Sequence, residues 1–450
     1  MFIKTKHRLF LWQPILLSGL LVLILASHQT TTAVPNTPED DPIWEAAAPL
    51  SAAGQDARRP RIASSPDGSH SLVVYINEID DDPYYTMSTN QGQSWSPPSG
   101  TKLHATAGTS AQVIGVIDRN DKAFAIWVEK NVALGNELVF STKTGGGSWT
   151  VPAKVDPARV TNAEILDPGV FLDETNNIHL VWVQEEVTYY AYLNNGTTSW
   201  SKPVIVEEEP RGFSGEPNVV VDRSGRLYLT WQNDTATGGL EVVFSRGTIT
   251  GTPTAPIWNP EVENLIISPP SNIEPLVSHA VLGLSGNRLS IAYTRKIDIV
   301  DPMKNDQQDI FYTTCSVPCN SLNSDDFKLI SGQRVEVNGI DPSEVVPALA
   351  LDNLRGAAYI TFSGVLPTTT NPNEIILSMQ SCDFWGTESN PFQVENDSNY
   401  RFVKPSMVIS DRWLELAYER ISSDNSHMIF HRRAEVSCPA YVMVPFLMKN

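Results

Sequence analysis

Three short strands, met seven times in the same order, constrain this chain more than any other feature. The first is apolar and usually introduced by proline: "PRIAS", "QVIGVID", "PGVFLD", "PNVVVD", "AVLGL", "PALALD" and "PSMVIS". A polar turn follows, then a second strand ending on an aromatic: "SLVVY", "AFAIW", "IHLVW", "LYLTW", "LSIAY", "AYITF" and "LELAY". Beyond a longer loop comes the third: "YYTMST", "ELVFST", "TYYAYL", "EVVFSR", "DIFYTT", "EIILSM" and "HMIFHR". The closing aromatics of the second strands are Tyr75, Trp127, Trp182, Trp231, Tyr293, Phe362 and Tyr418, spaced 49 to 69 residues apart. A unit of that length cannot bury its own apolar faces, so it must stack on its neighbours.

A fourth strand follows in most copies: "SWTVPAKV", "SWSKPVIV", "IWNPEVENL" and, more weakly, "DFKLIS" and "PFQVEN". The seventh copy lacks one, whereas "IWEAAAPLS" at residues 43–51 has its look and precedes the first copy. That segment can complete the last sheet and close the ring, leaving no bare edge at either end of the array. Short alternating strands, Gly/Asn/Asp turns and a long period predict an all-β chain. The expected fold is a β-propeller of four-stranded blades, seven by repeat count. A β-solenoid is the structural alternative, with repeats that are usually shorter and more regular.

The ends are different in kind. Lys4, Lys6 and Arg8 precede an apolar run from Leu9 to Ala26, and no acidic residue occurs before Glu39. Residues 1–33 therefore read as a secretory signal or an uncleaved N-terminal anchor, residues 34–42 as a linker, and 43–438 as the propeller. The expected location is secreted or cell-surface, with membrane contact only through the N-terminal segment if it stays attached. The tail at residues 439–450, "PAYVMVPFLMKN", is apolar and reads as a cap packed on the propeller rim or as an envelope-type ending.

Charge narrows the partners. The formal net charge is −19 at pH 7, and loss of the N-terminal segment would make it −22. An acidic surface repels phosphate backbones and anionic membranes, which excludes nucleic acid. An anionic sugar is still open to it, provided arginines are focused at one place. The four cysteines, Cys315, Cys319, Cys382 and Cys438, fit two disulfides in an exported chain, the near pair in "CSVPC" leaving Cys382 with Cys438. No histidine stands at ligand spacing from them, and no metal site is expected there.

The turn "STNQGQSWSPP" resembles the Asp box, the S-x-D-x-G-x-x-W hairpin of sialidase-like propellers also known as BNR repeats. Ser88, Gly92 and Trp95 fit its spacing, with Asn90 where the Asp belongs. "STKTGGGSWTVP" and "YLNNGTTSWSKP" keep Gly and Trp at drifted spacing. The box is structural: its polar side chains bond the turn while the Trp packs against strands. Sialidases have six blades, so six is the alternative count.

In such propellers ligands bind at one mouth of the central channel, between loops entering the first strands and leaving the second. Two residues past the aromatics stand Asn77, Glu129, Gln184, Asn233, Arg295, Gly364 and Arg420; before the first strands stand Arg58, Arg59, Asp167, Glu216, Glu274 and Lys404. Asn77, Glu129, Gln184, Asn233 and Lys404 are the expected binding mouth. What the resemblance implies for catalysis is an arginine clamp, a Tyr nucleophile with a Glu beside it, and an Asp acid/base. "RRP" stands where the family's Arg-Ile-Pro would, giving Arg58. "NEIDDDPYY" supplies Asp81 between Asp80 and Asp82, "GEP" gives Glu216, and "NYRFVKP" gives Tyr400. The companion arginine expected after the fourth second strand is replaced by Gln232-Asn233, leaving Arg295 and Arg420 as substitutes.

No cofactor is expected. Asp80 to Asp82 and Asp298, Asp301, Asp306 and Asp309 are acidic loops that could take Ca²⁺, though neither has the spacing of a dedicated calcium loop. Asn195, Asn233 and Asn396 lie in N-x-S/T sequons, read here as exposed turns. His70, His179, His279 and His427 are scattered, and none pairs with a Ser or Cys in triad order. The functional expectation is recognition of a glycan or a surface protein through the polar mouth. An exo-sialidase-type hydrolase is the enzymatic alternative, and a scaffold propeller the third reading.

Overall fold

In a computed structural model the chain is all-β. It describes residues 42–436, except 106–107, 132–134, 157–162, 207–213, 235–239, 268–276, 297–307, 320–346, 353–355, 365–374, 382–391 and 396. The N-terminal apolar run, the C-terminal tail, "DFKLIS", Glu274, Asp298, Asp301, Asp306, Asn396, Cys382 and Cys438 lie outside the described residues.

The described strands form seven antiparallel sheets. Their innermost strands are Ala57–Ser64, Thr109–Ile117, Ile165–Leu172, Ser214–Val221, Val277–Ser285, Ala348–Asp352 and Tyr400–Ser410. Each packs against the next, and the last packs against the first, so the strands ring a central axis as the blades of a β-propeller. Within a blade the chain runs outward by hairpins, ending on outer strands such as Ser96–Lys102 and Ala153–Lys154.

The second strands are covered on both faces by neighbouring blades. That explains why Ser71–Asn77 and Ile178–Gln184 are buried at every position instead of alternating. All seven closing aromatics are at most 2 % exposed. Full burial of a large apolar side chain contributes about 1.5–3 kcal/mol, so these positions anchor the inter-blade core.

Closure follows the expectation. Ala48 and Pro49 pair antiparallel with His431 and Phe430, which makes residues 48–49 the outermost strand of the seventh sheet. The amides of Glu45 and Leu50 extend the ladder to the carbonyls of Arg433 and Ile429, each at 2.8 Å. Arg433 then grips the Glu45 carboxylate with two nitrogens at 2.7 and 2.8 Å.

The hairpin that resembles an Asp box is built as such. Ser88 Oγ accepts from the Gly92 amide at 2.9 Å, and Asn90 Oδ1 accepts from the Ser94 amide at 2.9 Å. The tryptophans of all three boxed turns point into the preceding blade. Trp95 meets the His431 ring edge-on at 4.8 Å, Trp149 meets Tyr85 at 5.2 Å, and Trp200 meets Phe140 at 5.8 Å. The motif therefore fastens blade to blade. The near cysteines are joined, Cys315 to Cys319, with Cα atoms 5.6 Å apart.

Candidate functional site

Six of the seven inner strands carry one residue in the left-handed backbone region. These are Arg59, Gln112, Asp167, Glu216, His279 and Lys404, with φ between 48° and 55°. At each of them the strand pairing slips, as the register shifts across 58–61, 111–114, 166–169, 215–218, 278–281 and 403–406 record. A bulge re-aims a side chain, and a strained backbone repeated at one level of a structure points to a site that needs it. All six side chains line the same central cavity, of about 540 Å³. Arg61, Asn218 and Ser406 line the same cavity, with apolar groups that include Val281 and Leu349. Gly169 allows the third and fourth inner strands to close up there, since a Cβ would stand 2.6 Å from the Pro217 carbonyl.

The ring is wired from blade to blade. Gln112 and Asp167 exchange two bonds, amide Nε2 to Oδ1 and backbone amide to Oε1, both 2.9 Å. Oδ2 of Asp167 accepts from the Glu216 amide at 3.3 Å. The Glu216 carboxylate holds the Nδ1 of His279 at 2.5 and 2.6 Å. On the far side, the Arg59 amide donates to Glu419 at 3.1 Å, and Glu419 in turn holds His427 at 2.5 Å.

The two carboxyls of the ring are shifted in opposite directions. Burial and the neighbouring Glu216 charge raise the pKa of Asp167, against weaker help from the Glu216 amide, Arg61 and His279. For Glu216 burial also opposes ionisation, but the His279 bond together with Lys404 and Arg61 outweighs it and lowers the pKa. Arg61 has its pKa lowered by desolvation inside the channel, although Asp167 and Glu216 favour its charge. Among the described residues neither the Arg59 nor the Arg61 side chain makes a hydrogen bond or an ion pair. Two guanidinium groups are thus left facing a cavity, in a chain of net charge −19.

Of the residues singled out from the sequence, Glu216 and Lys404 line this channel, as do Arg59 and Asp167. Arg58 does not join the unpaired arginines. Its guanidinium folds back on Asp56 with two bonds of 3.0 Å, and that bond is the main cause of its raised pKa. Tyr400 and Arg420 stand together, the guanidinium 4.2 Å from the Tyr400 ring and 3.7 Å from that of Phe430. Tyr400 is therefore packed under an arginine, while the partner of Glu216 is His279. Asp81 sits on a left-handed turn of the first blade, and its carbonyl receives the Ser110 amide at 2.7 Å. Arg295 is the last residue but one of the strand Arg288–Lys296, the second of the fifth blade, and pairs with Val277.

Asn77, Glu129, Gln184 and Asn233 are buried, at 4, 8, 1 and 2 % exposure. Glu129 accepts from the Trp127 indole and from Ser110, both at 3.1 Å, and Gln184 accepts from the Trp182 indole at 3.3 Å. Asn233 was expected in an exposed turn; it lies instead in the strand Arg226–Asp234, whereas Asn195 is exposed. Asp80 and Asp82 share the Lys102 ammonium at 2.9 and 2.6 Å, which neutralises much of that acidic loop. Among the described residues no cluster of three or more His, Cys, Asp or Glu is arranged to hold a metal.

Gln112, His279 and Arg61 were not singled out as mouth residues. The signal that could have found Gln112 and His279 is alignment of the repeats on the residue that precedes proline in the other copies. Arg59, Asp167, Glu216 and Lys404 all precede one, and Gln112 and His279 occupy the same register without it.

No protein-family model and no curated protein matches the chain in sequence. Its structural neighbours include a lectin and sialidases. The BP39L lectin from Burkholderia pseudomallei is 11 % identical with a TM-score of 0.53, covering 83 % of this chain and 96 % of that one. A Trypanosoma rangeli sialidase in complex with 2,3-difluorosialic acid is 11 % identical, at a TM-score of 0.46, over 86 % of this chain and 56 % of its own. The Hadza microbial sialidase Hz136 is 13 % identical, at 0.47, over 87 % and 68 %. At such identities the likeness to the lectin is one of fold alone.

Proposed function

We propose that this chain is an exported glycan-recognition propeller whose central channel takes an acidic sugar. The observation that carries the reading is the pair of unpaired guanidinium groups, Arg59 and Arg61, in the same cavity as Lys404. Arginine offers a planar fork that matches a carboxylate in two bonds. A cationic focus inside an acidic molecule selects an anion by local geometry, because the long-range field works against it. Gln112, Asn218 and Ser406 add amide and hydroxyl groups of the kind that read sugar hydroxyls, while Val281 and Leu349 offer apolar surface to a ring face. The lectin neighbour gives the fold a precedent for sugar recognition. The N-terminal segment supports placement outside the cytoplasm.

The test is a glycan-binding screen on protein secreted from its full-length chain, beside Arg61→Ala and Arg59→Ala variants shown by circular dichroism to be folded. Retention on uronate- or sialate-bearing glycans, lost in the variants, supports the reading. Retention unaffected by either variant, or confined to neutral glycans, contradicts it.

A further inference from the structure

Each inner strand begins at the channel mouth, where Arg59, Glu216 and Lys404 stand, and ends at the opposite face in turns such as 65–70, 118–122 and 222–226. The Asp-box turn of the first blade lies at that far face too, because Ser88 pairs with Ser71. Both ends of the propeller leave there. Trp44 bridges Ala434, and the Val436 amide donates to the Arg412 carbonyl at 2.8 Å, in the turn that follows the seventh inner strand. Residues 42 and 436 therefore emerge close together, on the face opposite the mouth.

The two faces also differ in what they expose. Among the described residues, the exposed acids around the mouth are Asp80, Glu164, Glu185, Glu186, Asp397 and Asp424, and the exposed arginines there, Arg59 and Arg61, belong to the channel. On the far face the exposed acids are interspersed with Arg119, Lys202, Arg223 and Arg412. The two most exposed large apolar side chains are Ile43 at 86 % and Val151 at 82 %. Ile43 lies beside the exit, and Val151 follows Thr150, whose amide bonds the Thr142 carbonyl near the far end of its strand. The chain that continues from this face is apolar in both directions, as the run Leu9–Ala26 and the tail at 439–450.

We infer that residues 9–26 stay attached as a membrane anchor, and that the propeller docks on the outer surface of that bilayer through the face opposite its mouth. As a helix the run would span roughly 27 Å, close to the ~30 Å of a hydrocarbon core, and it is longer than the about 7–15 residues of a signal-peptide core. Lys4, Lys6 and Arg8 precede it and no Lys or Arg follows before Arg58, which keeps the short N-terminus inside and the propeller outside. Residues 27–41, treated as a flexible chain, reach roughly 20 Å, so the face they enter is the first to meet the headgroups. Anionic headgroups repel the acidic mouth more than the mixed far face, and the channel is thereby held open to the outside. The inference is independent of what the channel binds.

The experiment uses the full-length chain exported by a bacterial host, beside residues 34–450 behind a cleavable signal. Intact mass should show residues 1–33 retained, and the protein should stay with membranes through an alkaline carbonate wash that releases residues 34–450. A chain cut between residues 26 and 34 and free in the soluble fraction overturns the anchor. For the docking face, fluorophores are attached to single cysteines introduced into a Cys382→Ser, Cys438→Ser background. The purified protein is reconstituted into phosphatidylglycerol–phosphatidylethanolamine vesicles with nitroxide-labelled headgroups. Labels at Asn120→Cys and Ser224→Cys, on the far face, should be quenched several-fold more than labels at Ile79→Cys and Ser423→Cys, on the mouth side, in variants shown by circular dichroism to be folded. Equal quenching on both faces, or stronger quenching at the mouth, overturns the docking face even where the anchor holds.

Discussion

Nδ1 of His279, on the fifth blade, lies 2.5 Å from a carboxylate oxygen of Glu216 on the fourth. That pair bridges two blades at the channel wall, and the His279 bond is the largest influence favouring the ionised Glu216 carboxylate. The pKa of Glu216 is lowered despite burial, so the bonded pair stabilises the fold above the ordinary carboxylate range. The contribution is lost as pH falls through the depressed folded-state pKa. His279→Asn should therefore cost about 1–3 kcal/mol at pH 7 and progressively less in acid, measured by denaturant titration across pH.

Asp167 is shifted the other way, so it takes up a proton at a higher pH than a free carboxyl. Each proton gained makes the channel more positive. Affinity for an acidic sugar should rise roughly threefold to tenfold as pH falls from neutral through the raised pKa of Asp167, a gain of about 1 kcal/mol. Titration calorimetry at several pH values checks this, and Asp167→Asn should flatten the slope.

Gly92 combines a φ of 73° with a neighbour that cannot retreat. A Cβ there would come within 2.3 Å of Glu415 Oε2, on a side chain that is fully buried and bonded to Ser71. Gly92→Ala should cost more than the ~1 kcal/mol of left-handed strain alone, whereas Gly145→Ala, with φ 52° and open space around it, should cost only that strain. Comparison of the two Tm values decides it.

Ring closure depends on a short segment. Without residues 43–51 the strand His427–Glu435 would become a bare edge. A chain lacking that segment should melt at lower temperature and self-associate, as sedimentation would show. Glu45→Ala alone should cost at most about 1 kcal/mol, because the Glu45 carboxylate is half exposed.

Much of this was legible in the sequence. Seven second strands ending on an aromatic mark seven sheets, because only a strand covered on both faces can be apolar throughout. The N-terminal strand was legible because the seventh copy lacked an outer one. Within the site, legibility depended on proline. Arg59, Asp167, Glu216 and Lys404 stood out just before the first strands. Gln112 and His279 did not, and the partner of His279 lies 63 residues away. Asn77, Glu129, Gln184 and Asn233, two past the aromatics, are buried for a simple reason. Strand side chains alternate with period two, so they share the buried face of the aromatic, as the Glu129 bond to the Trp127 indole shows.

The most direct test of the channel as an acid-sugar site is a calorimetric comparison of glucuronic acid with glucose, on wild-type protein and on Arg61→Ala. The account predicts that the acid binds wild type at least about tenfold more tightly, a difference of about 1.4 kcal/mol, and that Arg61→Ala abolishes the preference. Equal binding of the two sugars by wild-type protein, or a preference that survives in the variant, would contradict it.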